Sequence, residues 1–217
     1  AFRLCEEAKN KPLAAEMLAA MSHQAAFLRI SDEAIDLALA ARRAATEAGV
    51  PALIAEAAVM EAHGLALQGN TKACLTALRD AEDQFCRIHT DSTPGWLGYF
   101  DNAYLSAKFG HTLRDLGRPT DAERFARQSL QMTDGYERGR TFNMALLAGV
   151  LADKGDLDES VACAQQALQM AGNVRSTRTV AYMSDVAQRL EPFSQDTRVR
   201  SLYKNMTAHR IPIARID

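Results

Sequence analysis

Two stretches of this chain repeat one pattern. LGRPTDAERFARQSL (Leu116 to Leu130) and KGDLDESVACAQQAL (Lys154 to Leu168) lie 38 residues apart. Few residues are identical, yet a Gly, a carboxylate, a run of small residues and a closing small-Leu pair fall at the same offsets. Self-similarity at a period of about 20–50 residues marks a stacked array. Each copy is a supersecondary unit with an apolar face it cannot cover alone, so the chain repeats itself and buries that face against the next copy.

The frame extends in both directions. Gly110 and Leu113 precede Gly117, and Ala122, Ala126, Ser129 and Leu130 follow it. Ala148, Leu151, Gly155, Ser160, Ala164, Ala167 and Leu168 stand at the same offsets in the next copy. Upstream, Ala62, Leu65, Gly69, Cys74, Leu78 and Ala81 fit, and before them Ala34, Ala38 and Ala41 follow Arg29, which occupies the turn position where the others have Gly. The anchors Ala34, Cys74, Ala122 and Ser160 are separated by 40, 48 and 38 residues. Helix lengths vary while the small residues at the crossings are kept.

Strings such as LALAARRAATEA are rich in strong helix formers, and no alternating β-branched run competes with them. The fold class is therefore all-α, a right-handed α-solenoid of about five tetratricopeptide-like helix-turn-helix pairs in one domain, residues 1–217. The pairs fall at about 12–48, 51–88, 95–133, 138–171 and 176–209. Pro12 and Pro51 stand where first helices begin, the position that tolerates Pro. Thr120 with Glu123, and Asp156 with Glu159, have the spacing of capping boxes opening second helices.

Several function classes are excluded by what is missing. The formal net charge is −2 with no concentrated basic stripe, so no direct nucleic-acid contact by this chain is expected. The arginines of the last third read as a solvated face. Cys5, Cys74, Cys86 and Cys163 lack metal-ligand spacing and sit among small or apolar residues. That usage, with no signal peptide and no apolar run near the ~20 residues of a membrane span, points to the cytoplasm and to no membrane. The missing initial methionine reads as a fragment or a processed product. No nucleotide-binding, nucleophile-elbow or zincin motif is present, so neither enzymatic activity nor a cofactor or metal is expected.

Three histidines hold one regularity. His23, His63 and His111 each lie six residues before their turn position, at Arg29, Gly69 and Gly117. In stacked hairpins that place faces a concave groove, and the fourth pair has Gly149 there. Helices about 8–10 Å apart keep these rings from sharing a zinc, which needs ligands near ~2 Å. The row is either a set of donors and acceptors for a ligand or polar filling of a solvated groove. Titration of imidazoles near neutral pH makes pH-dependent partner affinity a corollary.

Tyr104, Ala107, Arg114 and Asp115, then Phe142, Ala145 and Asp153, and also Glu56, Val59 and Met60 are groove candidates by the same count. Arg114 either meets a peptide carboxylate or bridges to Asp115 or Asp121. Trp96, Tyr99 and Phe100 form the densest aromatic cluster, which either packs the His89–Gly95 loop onto the array or offers an interface. In the last helix, Val199, Leu202, Tyr203 and Met206 make an apolar stripe that caps the array or joins a second chain.

The ordered run AAEMLAAMSHQAAFLRISDEAIDLALAARRAA, GLALQGNTKACLTALRDAEDQF, WLGYFDNAYLSAKFGHTLRDLGRPTDAERFARQSL and RSTRTVAYMSDVAQRLEP resembles one family. It is similar to the C-terminal tetratricopeptide-like regions of actinobacterial transcriptional regulators whose N-terminus is a lambda-repressor-type helix-turn-helix. The likeness spans nearly the whole chain, with Trp96 to Asp101 and the Arg-Ser-x-Arg of Arg175 to Arg178 its more distinctive parts. The resemblance implies a ligand-sensing or self-associating, homodimeric half of a regulator, binding a peptide, a protein segment or a small-molecule signal. The helix-turn-helix itself is not in this chain. The alternative is a general scaffold for a protein partner with no transcriptional role.

Overall fold

The computed structural model describes residues 2–89, 93–133, 135–172 and 176–213, and among these there is no strand. Arg175 and residues 90–92 of the aromatic-bearing loop lie outside the described residues. The chain forms two compact units, Ala1–Gly117 and Arg118–Asp217. Their boundary falls in the turn of the third expected pair. Each unit is described by itself.

In the first unit a short α1 (Phe2–Glu7) precedes α2 (Lys11–Phe27), α3 (Ser31–Ala48), α4 (Pro51–Leu67), α5 (Thr71–Phe85) and α6 (Asn102–Asp115). Hairpins α2–α3 and α4–α5 pack through α3 on α4, while α2, α4 and α6 lie side by side as a layer of first helices. This explains why α4 is apolar nearly all round. It is covered by α2, α3, α5 and α6.

Alanine makes the close approach possible. Leu18, Ala19, Ala38, Ala41, Ala57 and Met60 form one core cluster, and Ala25, Ala26 and Ala34 another. At Gly64 a Cβ would come within 2.7 Å of Ile35 Cγ1, so the α3–α4 crossing has room only for hydrogen there. The second unit holds α7 (Pro119–Ser129), α8 (Glu137–Lys154), α9 (Leu157–Ala171), α10 (Thr177–Leu190) and α11 (Thr197–Ala208). Its central helix is α8, covered by α7, α9 and α10, with Leu146, Val150 and Leu151 fully buried.

The repeat anchors are buried within their own helices' inner faces. Ala34, Cys74, Ala122 and Ser160 are all fully buried. Ser22 donates to the Ala34 carbonyl at 2.7 Å and Ser160 to the Ala148 carbonyl at 2.8 Å, the same stitch made from opposite helices of a pair. The turn residues share a left-handed backbone, with φ of +72°, +75° and +81° at Gly69, Gly117 and Gly155. Arg29 adopts it too, at +62°, a conformation that is uncommon for a residue with a Cβ.

Local departures from expectation have local causes. The helix expected from 95 begins at Asn102, because the Asp101 carboxylate accepts from the Tyr104 amide at 2.7 Å and starts it there. Gly95–Leu97 is instead a separate 3-10 turn. The two capping boxes do not form. Thr120 lies inside α7, which opens on Pro119, and Asp156 makes no side-chain cap. Their acids serve ion pairs between helices: Lys154 reaches Glu123 at 2.6 Å and Asp156 at 2.7 Å, and Arg127 meets Glu159 at 2.7 Å. None of the four cysteines is in a disulfide; Cys86, at the end of α5, is exposed whereas the others are buried.

Candidate binding face

Seven residues span two helical turns, so groups that far apart return to one face. Glu16 and His23 are so related on α2, Glu56 and His63 on α4, and Tyr104 and His111 on α6. Each stands thirteen or six residues before its turn position. Because α2, α4 and α6 are neighbours, these six residues form two parallel polar rows.

The first row is a carboxyl–phenol cluster. The Tyr99 hydroxyl lies 2.8 Å from Glu16 Oε1 and 3.0 Å from Glu56 Oε2, and the Tyr104 hydroxyl donates to Glu56 Oε1 at 2.9 Å. The two phenol rings meet edge to face at 5.2 Å. Burial, then the neighbouring Glu16 carboxylate, push Glu56 up to about 8, so it is mostly protonated at neutral pH. Burial and the same acids push both phenols well above their ordinary range.

The second row is ionic. Asp115, at the end of α6, receives His63 Nε2 at 3.1 Å, Arg114 Nη2 at 3.1 Å and Arg29 Nη1 at 3.4 Å, with its side chain only 4% exposed. Burial alone would raise this carboxyl. The His63 bond and the charges of Arg114 and Arg29 outweigh it and hold Asp115 far below the usual carboxylate range. His111 is driven the other way, by burial and then by the Arg114 charge, and so is neutral at physiological pH. Lys108 Nζ joins the rows, 3.2 Å from the His23 ring and 5.1 Å above the Tyr104 ring.

The three histidines therefore share a face and are engaged in a network with Lys108, Arg114 and Asp115. Arg114 bridges to Asp115. Met60, between Glu56 and His63 on α4, and its neighbour Val59 are buried at 2% and 1% exposure, Met60 in the core cluster that holds Leu18 and Ala38. The aromatic trio divides. Phe100 is buried against Phe85 and Tyr104, Tyr99 reaches the two acids, and Trp96 stays 44% exposed.

In the second unit Phe142 stacks on Tyr182 at 4.9 Å beneath the guanidinium of Arg178. Val199, Leu202, Tyr203 and Met206 are buried within that unit, Tyr203 donating to the Ala187 carbonyl at 2.8 Å. A stripe spent this way is not open to a second chain while α11 stays packed. Glu16 and Lys108 were not among the candidates read from sequence. Counting thirteen residues back from Arg29, as from Gly69 and Gly117, finds Glu16 beside Glu56 and Tyr104; no comparable regularity marks Lys108.

Among the described residues no group of three or more His, Cys, Asp or Glu side chains is arranged to hold a metal ion, and no helix is long and apolar enough to cross a membrane. No family model matches the chain, and no curated protein does. Among solved structures, the crystal structure of a Rap protein complexed with competence and sporulation factor matches at a TM-score of 0.63 and 13% identity, over 95% of this chain and 66% of that one. At that identity the likeness shows the fold alone. The fold is the all-α, tetratricopeptide-like solenoid that the repeat implies.

Proposed function

We propose that this chain is a protein- or peptide-binding module and that its ligand is taken on the α2–α4–α6 face of the first unit. One observation carries the reading. A helix layer that only had to pack would gather apolar residues, yet here three neighbouring first helices present Glu16, Glu56, Tyr104, His23, His63 and His111 in register. Placing such groups together carries a desolvation cost that packing alone does not explain. That a protein of the same fold was crystallised with a bound factor supports a binding role over a catalytic one.

The test is equilibrium binding of the whole chain to a panel of short synthetic peptides, repeated with Lys108→Ala and His63→Ala. Binding tighter than about 0.1 mM, weakened tenfold or more by either change, supports the face. A panel with no binder, or binders indifferent to both changes, removes it.

Within this reading, the sequence resemblance favours the sensory half of a cytoplasmic transcriptional regulator, responding to a peptide or a small molecule and self-associating. A helix-turn-helix elsewhere in the native polypeptide supports that finer assignment, and a domain of another kind there overturns it. Phe142 belongs to a second candidate patch, with Tyr182 and Arg178. Self-association is measured by ultracentrifugation; a strict monomer leaves the scaffold reading, in which the same face serves a protein partner with no transcriptional role.

A further inference from the structure

The Tyr99 hydroxyl touches two carboxyl groups, Glu16 Oε1 at 2.8 Å and Glu56 Oε2 at 3.0 Å, but carries one proton. Glu56 Oε1 is already satisfied by Tyr104, and Glu16 Oε2 is buried without a partner. If both acids were ionised, one carboxylate would face the phenol oxygen with no proton between them, and two like charges would share a site from which water is largely excluded. The geometry requires a second proton on the pair. With Glu56 protonated the chain of bonds closes: Tyr104 donates to Glu56, Glu56 donates to the Tyr99 oxygen, and Tyr99 donates to Glu16.

We propose that the Glu16–Tyr99–Glu56 contact is a proton-gated latch, which pins Gly98 and Tyr99 across α2 and α4 while the acid pair holds its extra proton and releases Tyr99 when that proton is lost. On release the proton goes to solvent, Glu56 becomes a carboxylate, and Tyr99 keeps its own proton, which can serve only one of the two acids. Leu97 and Phe100 are buried on either side, so the part freed is Tyr99 with the adjoining Gly98.

The groups facing Glu56 are Glu16 from α2, Tyr99 from the segment itself, and Tyr104 and Lys108 from α6. Helices α3 and α5 also pack on α4, but their Arg42 and Asp80 are paired with each other, and Arg42 also with Glu61, further along α4. Lys108 is the one cation in this set, and its charge favours ionisation. Burial and Glu16 oppose it and push Glu56 up to about 8, inside the range where a modest pH change alters its charge. The consequence for a ligand, that an open latch exposes the acids on the α2–α4–α6 face, rests on the binding role proposed above. The latch does not, and is tested without ligand.

Trp96 is the chain's only tryptophan, three residues from Tyr99 and half-exposed. Its emission, and hydrogen exchange of the amides of residues 95–101, are followed on the whole chain from about pH 6 to about pH 10. The expected result is one transition with its midpoint near about pH 8 and faster exchange above it. Glu56→Gln keeps both hydrogen bonds without a titrating group and abolishes the transition, whereas Glu16→Gln removes the opposing charge and lowers the midpoint by about one pH unit or more. A flat wild-type profile, or a transition unchanged in Glu56→Gln, overturns the latch. Should Glu56→Gln fail to fold, the Glu16→Gln midpoint decides: a fall supports the latch and an unmoved midpoint ends it.

Discussion

His63 Nε2 lies 3.1 Å from Asp115 Oδ2, tying α4 to α6 through a carboxylate that is almost wholly buried. The same carboxylate faces the guanidinium of Arg114, itself only 6% exposed in its side chain. Asp115→Asn removes the one charge on which His63, Arg114 and Arg29 converge. The expected loss is about 3 kcal/mol of unfolding free energy, measured by urea denaturation, because breaking into a buried ionic network is far costlier than losing a surface pair. A loss below about 1 kcal/mol would mean that Asp115 does not hold α4 to α6.

Stability should fall on both sides of a mildly acidic optimum. Asp115 has a depressed folded-state value, so its contribution is present above the unfolded value near 3.8 and disappears as pH drops toward the folded one. Glu56 is the opposite case. Its folded value, about 8, exceeds the unfolded 4.5, so the native state binds more protons between the two and stability declines as pH rises across that window. Glu56→Gln should flatten the alkaline slope and raise stability at pH 8 by a few kcal/mol, about 1.4 for each pH unit removed. Parallel chemical-denaturation curves for wild type and variant at pH 5 and pH 8 check this.

Two glycines resist substitution for unrelated reasons. Gly155 has φ of +81° and open space around it, so Gly155→Ala is expected to cost about 1 kcal/mol through backbone strain alone. Gly155→Asn should recover part of it. Gly64→Ala meets Ile35 Cγ1 at 2.7 Å and the Ile35 amide nitrogen at 3.2 Å, a steric cost of about 1–3 kcal/mol. Ile35→Ala should partly rescue Gly64→Ala and leave Gly155→Ala unchanged, a contrast that thermal melts of the double variants resolve.

The end of the second unit offers a graded test of α11. Tyr203→Phe removes one bond to the Ala187 carbonyl and should cost about 1 kcal/mol. Met206→Ala empties a fully buried site and should cost about 2–5 kcal/mol. If α11 exchanged freely between packed and open states, both costs would shrink, and proteolysis would clip the helix first.

Much of the helical hairpin pattern was legible in the residue order. Small residues at fixed offsets foretold the buried Ala34, Cys74, Ala122 and Ser160, and the glycines foretold the turns, because both follow from the local geometry of paired helices. The count that placed His23, His63 and His111 on one helix layer rests on the same periodicity. A 3.6-residue period locates a face but does not say how much of it is covered on a central helix, where Glu56 and Met60 are both only 2% exposed. Spacing alone misassigned Glu123 and Glu159, whose capping spacing competes with Lys154 and Arg127 brought close only by packing.

Residue order by itself determined that this chain forms alternating helices joined by left-handed turns, because those choices depend on neighbours three or four positions away. Which polar groups meet was decided by the tertiary structure. Tyr99 is separated from Glu16 by 83 residues, Lys108 from His23 by 85 and Asp115 from His63 by 52. No local rule couples such pairs. Only the lateral packing of α2, α4 and α6 brings them within bonding distance, and with it come the burial and the shared proton that set their charge.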